Sequence, residues 1–141
     1  MKLEIAQKIV AAALANARTQ GFKPLAVAVL DARGALKAFA AEDGTSLRRA
    51  EIATGKAHGA LAMGIGSRTI GKMAAERPHF VAAVTHAVGG SLIPVPGGVL
   101  VRDGAGAVVG AVGVTGDTSD NDEAAGVAGI AAVGLKADPG A

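Results

Sequence analysis

The sequence predicts an α+β fold, with a central antiparallel β-sheet flanked by helices in a single domain spanning residues 1–141. Three observations carry that reading. Apolar runs of strand length come in pairs joined by short Gly/Asp turns, so each pair reads as a hairpin and not as one strand of a parallel unit. Segments of helical periodicity lie before, between and after the two pairs. At 141 residues, with 50% hydrophobic and 18% charged side chains, the chain fills one core and hardly two.

The elements follow in order. Ala6, Ile9, Val10, Ala13, Leu14 and Ala17 recur at helical spacing, with Lys2, Glu4, Lys8 and Arg18 elsewhere, and Gly21 stops this first helix. Leu25 to Leu30, the turn Asp31-Ala32-Arg33-Gly34 and Ala35 to Ala40 form a hairpin. Thr45 or Ser46 is placed to cap a helix from about Leu47 to Met63, ended by Gly64. Ser67 is placed to cap another to Glu76, and Pro78 opens a third that runs to about Val88. Val99 to Arg102 and Val108 to Val114, joined by Asp103-Gly104-Ala105-Gly106, make the second hairpin. Thr118 or Ser119 caps a last helix from Asp120 to about Leu135, with Asp120, Asp122 and Glu123 set against its dipole, and Asp138-Pro139-Gly140 reads as a frayed end.

Composition removes several functions. Cysteine is absent, which excludes disulfides, iron–sulfur clusters and thiolate ligation. There is no Tyr or Trp and aromatics make up 2% of residues, so bases would find no stacking platform. Residues 1–102 hold thirteen basic and six acidic groups, whereas 103–141 hold one basic and six acidic. Two such patches in one domain attract each other, within or between subunits, more readily than they attract a nucleic acid. No segment approaches the roughly 18 apolar residues of a membrane span, and polar Glu4, Gln7 and Lys8 do not fit a signal peptide. A soluble cytoplasmic protein is the expectation.

Ala26 to Asp31 followed by Gly34, then Asp43-Gly44, Ser46, Ala53 with Lys56-Ala57, Pro96-Gly97-Gly98, Asp103-Gly104, Gly110 to Gly116 and Asp122-Glu123 carry a resemblance. In order and spacing, over nearly the whole chain, these motifs are similar to the haem-degrading-domain family of GlcG- and HbpS-like proteins and to the C-terminal domain of PduO. The resemblance implies a sheet flanked by helices in the manner of profilin or Roadblock proteins. It implies a homo-oligomer, commonly an octamer, and binding of haem or a corrinoid such as cobalamin in some members. Tetrapyrrole-binding members place an axial histidine near the first helix, and this chain has none between Met1 and Gly21. Leu100 also stands where relatives usually have Pro.

An iron or cobalt ligand must therefore come from His58, His79, His86, Met63 or Met73. His79 and His86 lie seven apart in one helix, hence on one face roughly 10.5 Å apart, too far to share one ion. Either is a candidate lone axial ligand, with Arg68, Lys72 or Arg77 meeting propionates and the Gly97-Gly98 turn as a further cofactor contact. Gly64-Ile65-Gly66-Ser67-Arg68 lacks the third glycine of a dinucleotide loop and the Lys-Ser/Thr of a P-loop; a plain helix-to-helix turn is its leading reading, with a carboxylate held by its backbone N–H groups and Arg68 as the alternative. Asp117 to Glu123 is dense in oxygen ligands yet departs from a calcium loop at Asp122 and Ala128, so capping is its leading role and no metal-ion site is expected. Three functions remain open on this reading. The first is an oligomeric haem- or corrinoid-binding accessory protein. The second is a catabolic enzyme acting on an oxidised carboxylate or semialdehyde, with His58, His86 and Glu123 as acid–base candidates. The third is a ligand-free scaffold.

Overall fold

The computed structural model describes residues 1–141. The elements are α1 (Leu3–Gln20), β1 (Ala26–Asp31), β2 (Leu36–Ala41), α2 (Arg49–Met63), α3 (Ser67–Glu76), α4 (Pro78–Ala87), β3 (Gly98–Arg102), β4 (Val108–Thr115), α5 (Ser119–Ala132) and β5 (Lys136–Asp138). All strand pairings are antiparallel, in the order β2-β1-β4-β3-β5. The α+β class is therefore as the hairpin pattern predicts. No helix is long and apolar enough to cross a membrane.

Strand alternation divides the residues between two faces. Val27, Val29, Val99, Val101, Val112 and Val114 point to one side and pack with Ala6, Ile9, Ala13, Ala125 and Ile130 of α1 and α5. Leu30, Leu100 and Ala111 point to the other side and pack on Ala57 and Ala60 of α2. There Gly113 pairs with both Ala28 and Gly98 across the sheet. A Cβ at Gly113 would collide with the Ala53 carbonyl, and one at Gly98 with the Lys56 carbonyl. The backbone of α2 thus lies directly on the sheet. A third cluster, Ile70, Val81 and Leu92, joins α3, α4 and the segment after them.

Local signals hold at several helix ends. Gly21 and Gly64 adopt left-handed φ of 70° and 69° and end α1 and α2, Pro78 opens α4, and the Thr118 hydroxyl accepts from the Asn121 N–H at the start of α5. Four expectations are corrected. Neither Thr45 nor Ser46 caps α2, which begins only at Arg49 and leaves Leu47 87% exposed; the Ser46 hydroxyl instead accepts from the Arg49 guanidinium. Ser67 makes no cap, because its buried hydroxyl accepts the Gly98 N–H at 2.7 Å and ties α3 to β3. The last helix stops at Ala132, and Gly134 (φ 76°) turns the chain out of the helix. Asp138-Pro139-Gly140 is not a frayed end: Asp138 closes β5, which pairs with β3, Arg102 binds Asp138 at 2.8 Å, and the Pro139 carbonyl accepts from the Arg68 N–H.

Candidate functional site

The small residues of α2 bring one charged side chain inside. Lys56 and Asp122 are 3% and 2% exposed, with Nζ 3.0 Å from Oδ2. Lys56 also donates to the Val114 carbonyl at 2.9 Å, and the second Asp122 oxygen accepts the Asp117 N–H at 2.9 Å. Burial pushes the Asp122 carboxyl up and the Lys56 ammonium down, against their mutual attraction. The pair joins α2, the end of β4 and the first turn of α5. Gly97 (φ 120°) closes over it, since a Cβ there would stand 2.9 Å from Lys56 Nζ and 2.6 Å from the Val114 carbonyl. Gly97 is therefore a packed wall of this ion pair, while Gly98 packs on the Lys56 backbone carbonyl and the Ser67 hydroxyl. No buried side-chain nitrogen or oxygen lacks a hydrogen-bond partner.

Arg68 and Glu123 come together, in a way the sequence did not disclose. The Arg68 guanidinium binds Glu123 through Nε at 3.1 Å and also binds Asp120. These two carboxylates raise the guanidinium pKa further above its ordinary value. The carboxylate holder and the acid–base candidate of the enzyme reading are thus engaged with each other. The α3 N-terminus is also occupied, with the Arg68 N–H donating to the Pro139 carbonyl. Together with Lys56–Asp122 and Arg102–Asp138, these contacts show the basic and acidic portions of the chain attracting each other within one molecule.

The oxygen-rich run serves the fold. Asp117 accepts from the backbone of Lys23 and Thr118 and from the Asn121 amide. Those bonds, the Lys23 N–H first, hold its carboxyl below the ordinary range. No group of three or more His, Asp or Glu side chains is arranged to hold a metal ion.

The three histidines lie in different settings. His79 and His86 are exposed on α4, and no cleft is lined by either. His58 is half-buried on α2, with Nδ1 2.7 Å from the Ser91 carbonyl. It lines a cleft of about 170 Å³ with Ala32, Arg33, Gly34, Leu61 and Ala62. No hydrogen bond or ion pair joins His58, His86 and Glu123. The largest surface groove, about 560 Å³, runs between α1 and the end of α5 over Ile5, Ala11, Ala12, Ala15, Ala132 and Val133, with Lys8 as its only charged residue. None of the candidate site residues named from the sequence lies in it.

A family model described as haem degrading protein HbpS-like matches residues 1–131. The chain belongs to the HbpS-like family. Among solved structures, HbpS is 30% identical, with 93% of this chain and 88% of that chain covered and a TM-score of 0.79. The PduOC:heme complex is 20% identical, covering 96% of each chain with a TM-score of 0.84. Protein ORFY of Klebsiella pneumoniae is 23% identical, covering 95% and 90% with a TM-score of 0.84. A search of curated proteins finds no match. Within this HbpS-like fold, the buried Lys56–Asp122 pair is the feature that sequence reasoning missed. Its signals in the sequence are a lysine set in the otherwise small Ala53, Ala57, Ala60 face of a helix and the presence of both Lys56 and Asp122 in the motifs that carry the resemblance.

Proposed function

We propose that the chain is a homo-oligomeric haem-binding protein. The observation that carries this reading is the HbpS-like match over residues 1–131, joined by likeness over 96% of the chain to a fold crystallised with haem. The residues present fit such a group in kind. With no Cys or Tyr, iron ligation falls to histidine or methionine. All three imidazoles have exposed area, whereas Met63 and Met73 pack against the Ile70 cluster. The α1/α5 groove supplies apolar wall but no imidazole, and the histidines lie outside it. A second copy would supply the surface that one copy lacks, which is why the reading includes a homo-oligomer.

Bound haem supplies a redox-active iron, and the chain supplies the rest. A histidine would supply the iron's lone pair, Ala and Val side chains would exclude water, and cations would meet the propionates. Lys72 and Arg77 suit that last role better than Arg68, whose charge is already matched by Glu123 and Asp120. The enzyme reading has less support, since the same pairing occupies both its substrate anchor and one of its acid–base groups.

The test is a haemin titration followed by visible absorption, with light scattering for assembly. A saturable Soret shift near one haem per chain or per pair of chains is expected. Featureless, non-saturating uptake overturns the reading, and preferential saturation by a corrinoid would redirect it to that tetrapyrrole.

A further inference from the structure

We infer that β2 is the edge along which two copies of this chain join, pairing antiparallel about a two-fold axis at Ala40 so that the sheet runs on from one copy into the other. The inference rests on the homo-oligomeric part of the reading above and does not depend on haem. It begins with the direction of the backbone groups. The Val114 N–H bonds the Gly97 carbonyl, so Val114, Val112 and Gly110 turn their polar groups to β3, and Thr115, Gly113 and Ala111 turn theirs to β1. By the same alternation Val27 and Val29 of β1 face β2, where they meet Ala40 and Ala38, and the Glu42 N–H bonds the Leu25 carbonyl in phase with them. The N–H and C=O groups of Phe39 and Ala41 therefore point away from the sheet, and nothing in the chain bonds them.

The two edges of the sheet differ. At the far edge β5 is only Lys136–Asp138, and the chain beyond it is tied to α3 through the Pro139 carbonyl and the Arg68 N–H. Strand β2 has 6 residues and no proline. Lys37 and the bulge it forms, the usual guards of an edge, both lie at the start of the strand. From Ala38 to Ala41 the edge is regular and uncharged. Leu36 and Phe39 on this strand and Leu47 in the loop after it are 56%, 38% and 87% exposed.

This edge is complementary to itself. With Ala40 facing Ala40, Phe39 of each copy comes opposite Ala41 of the other, so the free backbone groups of both residues bond and each ring lies beside a methyl group. Further along, Lys37 comes opposite Asp43. Neither has an ion-pair partner within its own chain. Opposite charges that face across strands attract, and the two-fold axis makes this pair twice. Centring the axis on Phe39 instead would set Lys37 opposite Ala41 and forfeit the charge pairing. A strand of another protein would have to supply that order of charges, and this chain already carries it.

Sedimentation velocity over a range of concentrations tests the interface. Ala41→Pro removes an N–H that faces outward, so it takes no bond from the fold. It is expected to keep the far-ultraviolet dichroism of the wild type and to halve the assembled mass. Lys37→Glu and Asp43→Lys are each expected to raise the dissociation constant roughly tenfold, because like charges then face each other twice. Lys37→Glu combined with Asp43→Lys restores the wild-type value, a rescue that separate structural roles for the two residues would not give. If Ala41→Pro loses the native dichroism, the charge swap decides, and no recovery in the double variant overturns the interface. Assembly that Ala41→Pro and both single charge variants leave unchanged overturns the β2 edge alone and leaves the homo-oligomer to another surface. A wild type that stays monomeric at every concentration overturns the interface and the homo-oligomeric reading together, while the haemin titration decides haem binding separately.

Discussion

On the α1/α5 side of the sheet, six valines and Ile9 and Ile130 build a thick aliphatic layer on the strands, with a close backbone approach only where Gly129 of α5 meets the Ile9 carbonyl of α1. On the α2 side the same strands present Ala28, Gly98, Ala111 and Gly113, and the helix answers with Ala53, Ala57 and Ala60. The difference teaches where polar chemistry can be held. A thick layer tolerates adjustment and excludes charge. A thin one brings main-chain carbonyls within reach of side chains, so Lys56 finds the Val114 oxygen and His58 finds that of Ser91. Both groups with potential chemistry inside the fold therefore lie on α2, each oriented by backbone.

The contrast can be broken most severely at the ion pair. Lys56→Met leaves Asp122 buried without its cation and is expected to cost about 3–5 kcal/mol in chemical denaturation. Lys56→Met combined with Asp122→Leu should recover most of that loss, because neither charge then remains uncompensated. Next comes a pair of substitutions one residue apart on β4. Gly113→Ala forces a Cβ into the Ala53 carbonyl and should cost about 3 kcal/mol or more, whereas Val112→Ala on the thick face should cost about 2 kcal/mol. A reversed order in urea midpoints would mean that α2 can lift from the sheet.

The segment that packs on α2 after α4 gives a finer test. Gly59→Ala meets Leu92 Cγ at 3.0 Å and its Cα at 3.2 Å, and Gly55→Ala meets Ile93 Cγ1 at 2.8 Å on a β-branched side chain that is stiff at χ1, so each should destabilise by about 1 kcal/mol or more despite the gain in helix propensity. Thermal melts of the two variants check this. The smallest effect belongs to Asp117. Its depressed pKa contributes stability that is present above the ordinary carboxylate value and lost as pH falls through the lowered one. Asp117→Asn should therefore melt below wild type at pH 7, with the gap narrowing as the pH falls below the ordinary carboxylate range.

The parts of this fold legible in the sequence are those whose cause is local. Gly21 and Gly64 end helices because only glycine readily takes their φ, and the hairpin turns carry their own Asp and Gly chemistry. Ser67 misled because a hydroxyl before a helix satisfies a capping rule and a cross-chain bond equally well, and here Gly98 claims it. Strand β5 was hidden because Lys136–Asp138 has no strand pattern and exists through pairing with β3. Within the site, the histidines and Arg68 were visible as residue types, but their settings were not. Glu123 lies 55 positions from Arg68, the Ser91 carbonyl 33 from His58, and Asp122 66 from Lys56. Such partners are decided by tertiary approach, which neither periodicity nor turn chemistry encodes.

The strand order also sets a timetable for assembly. Strands β1 and β2, like β3 and β4, are joined by turns of a few residues and can meet early. The middle pairing of β1 with β4 instead brings Ala26 to Thr115 across a stretch that includes α2, α3 and α4. Closing that seam carries the largest chain-entropy cost of the sheet. Helix α2 has no complete platform until it closes, because Ala28 and Gly113 lie on opposite sides of the seam. The slow step of folding is thus the zipping of two preformed hairpins, and substitutions along the seam will change the folding rate more than those in either turn.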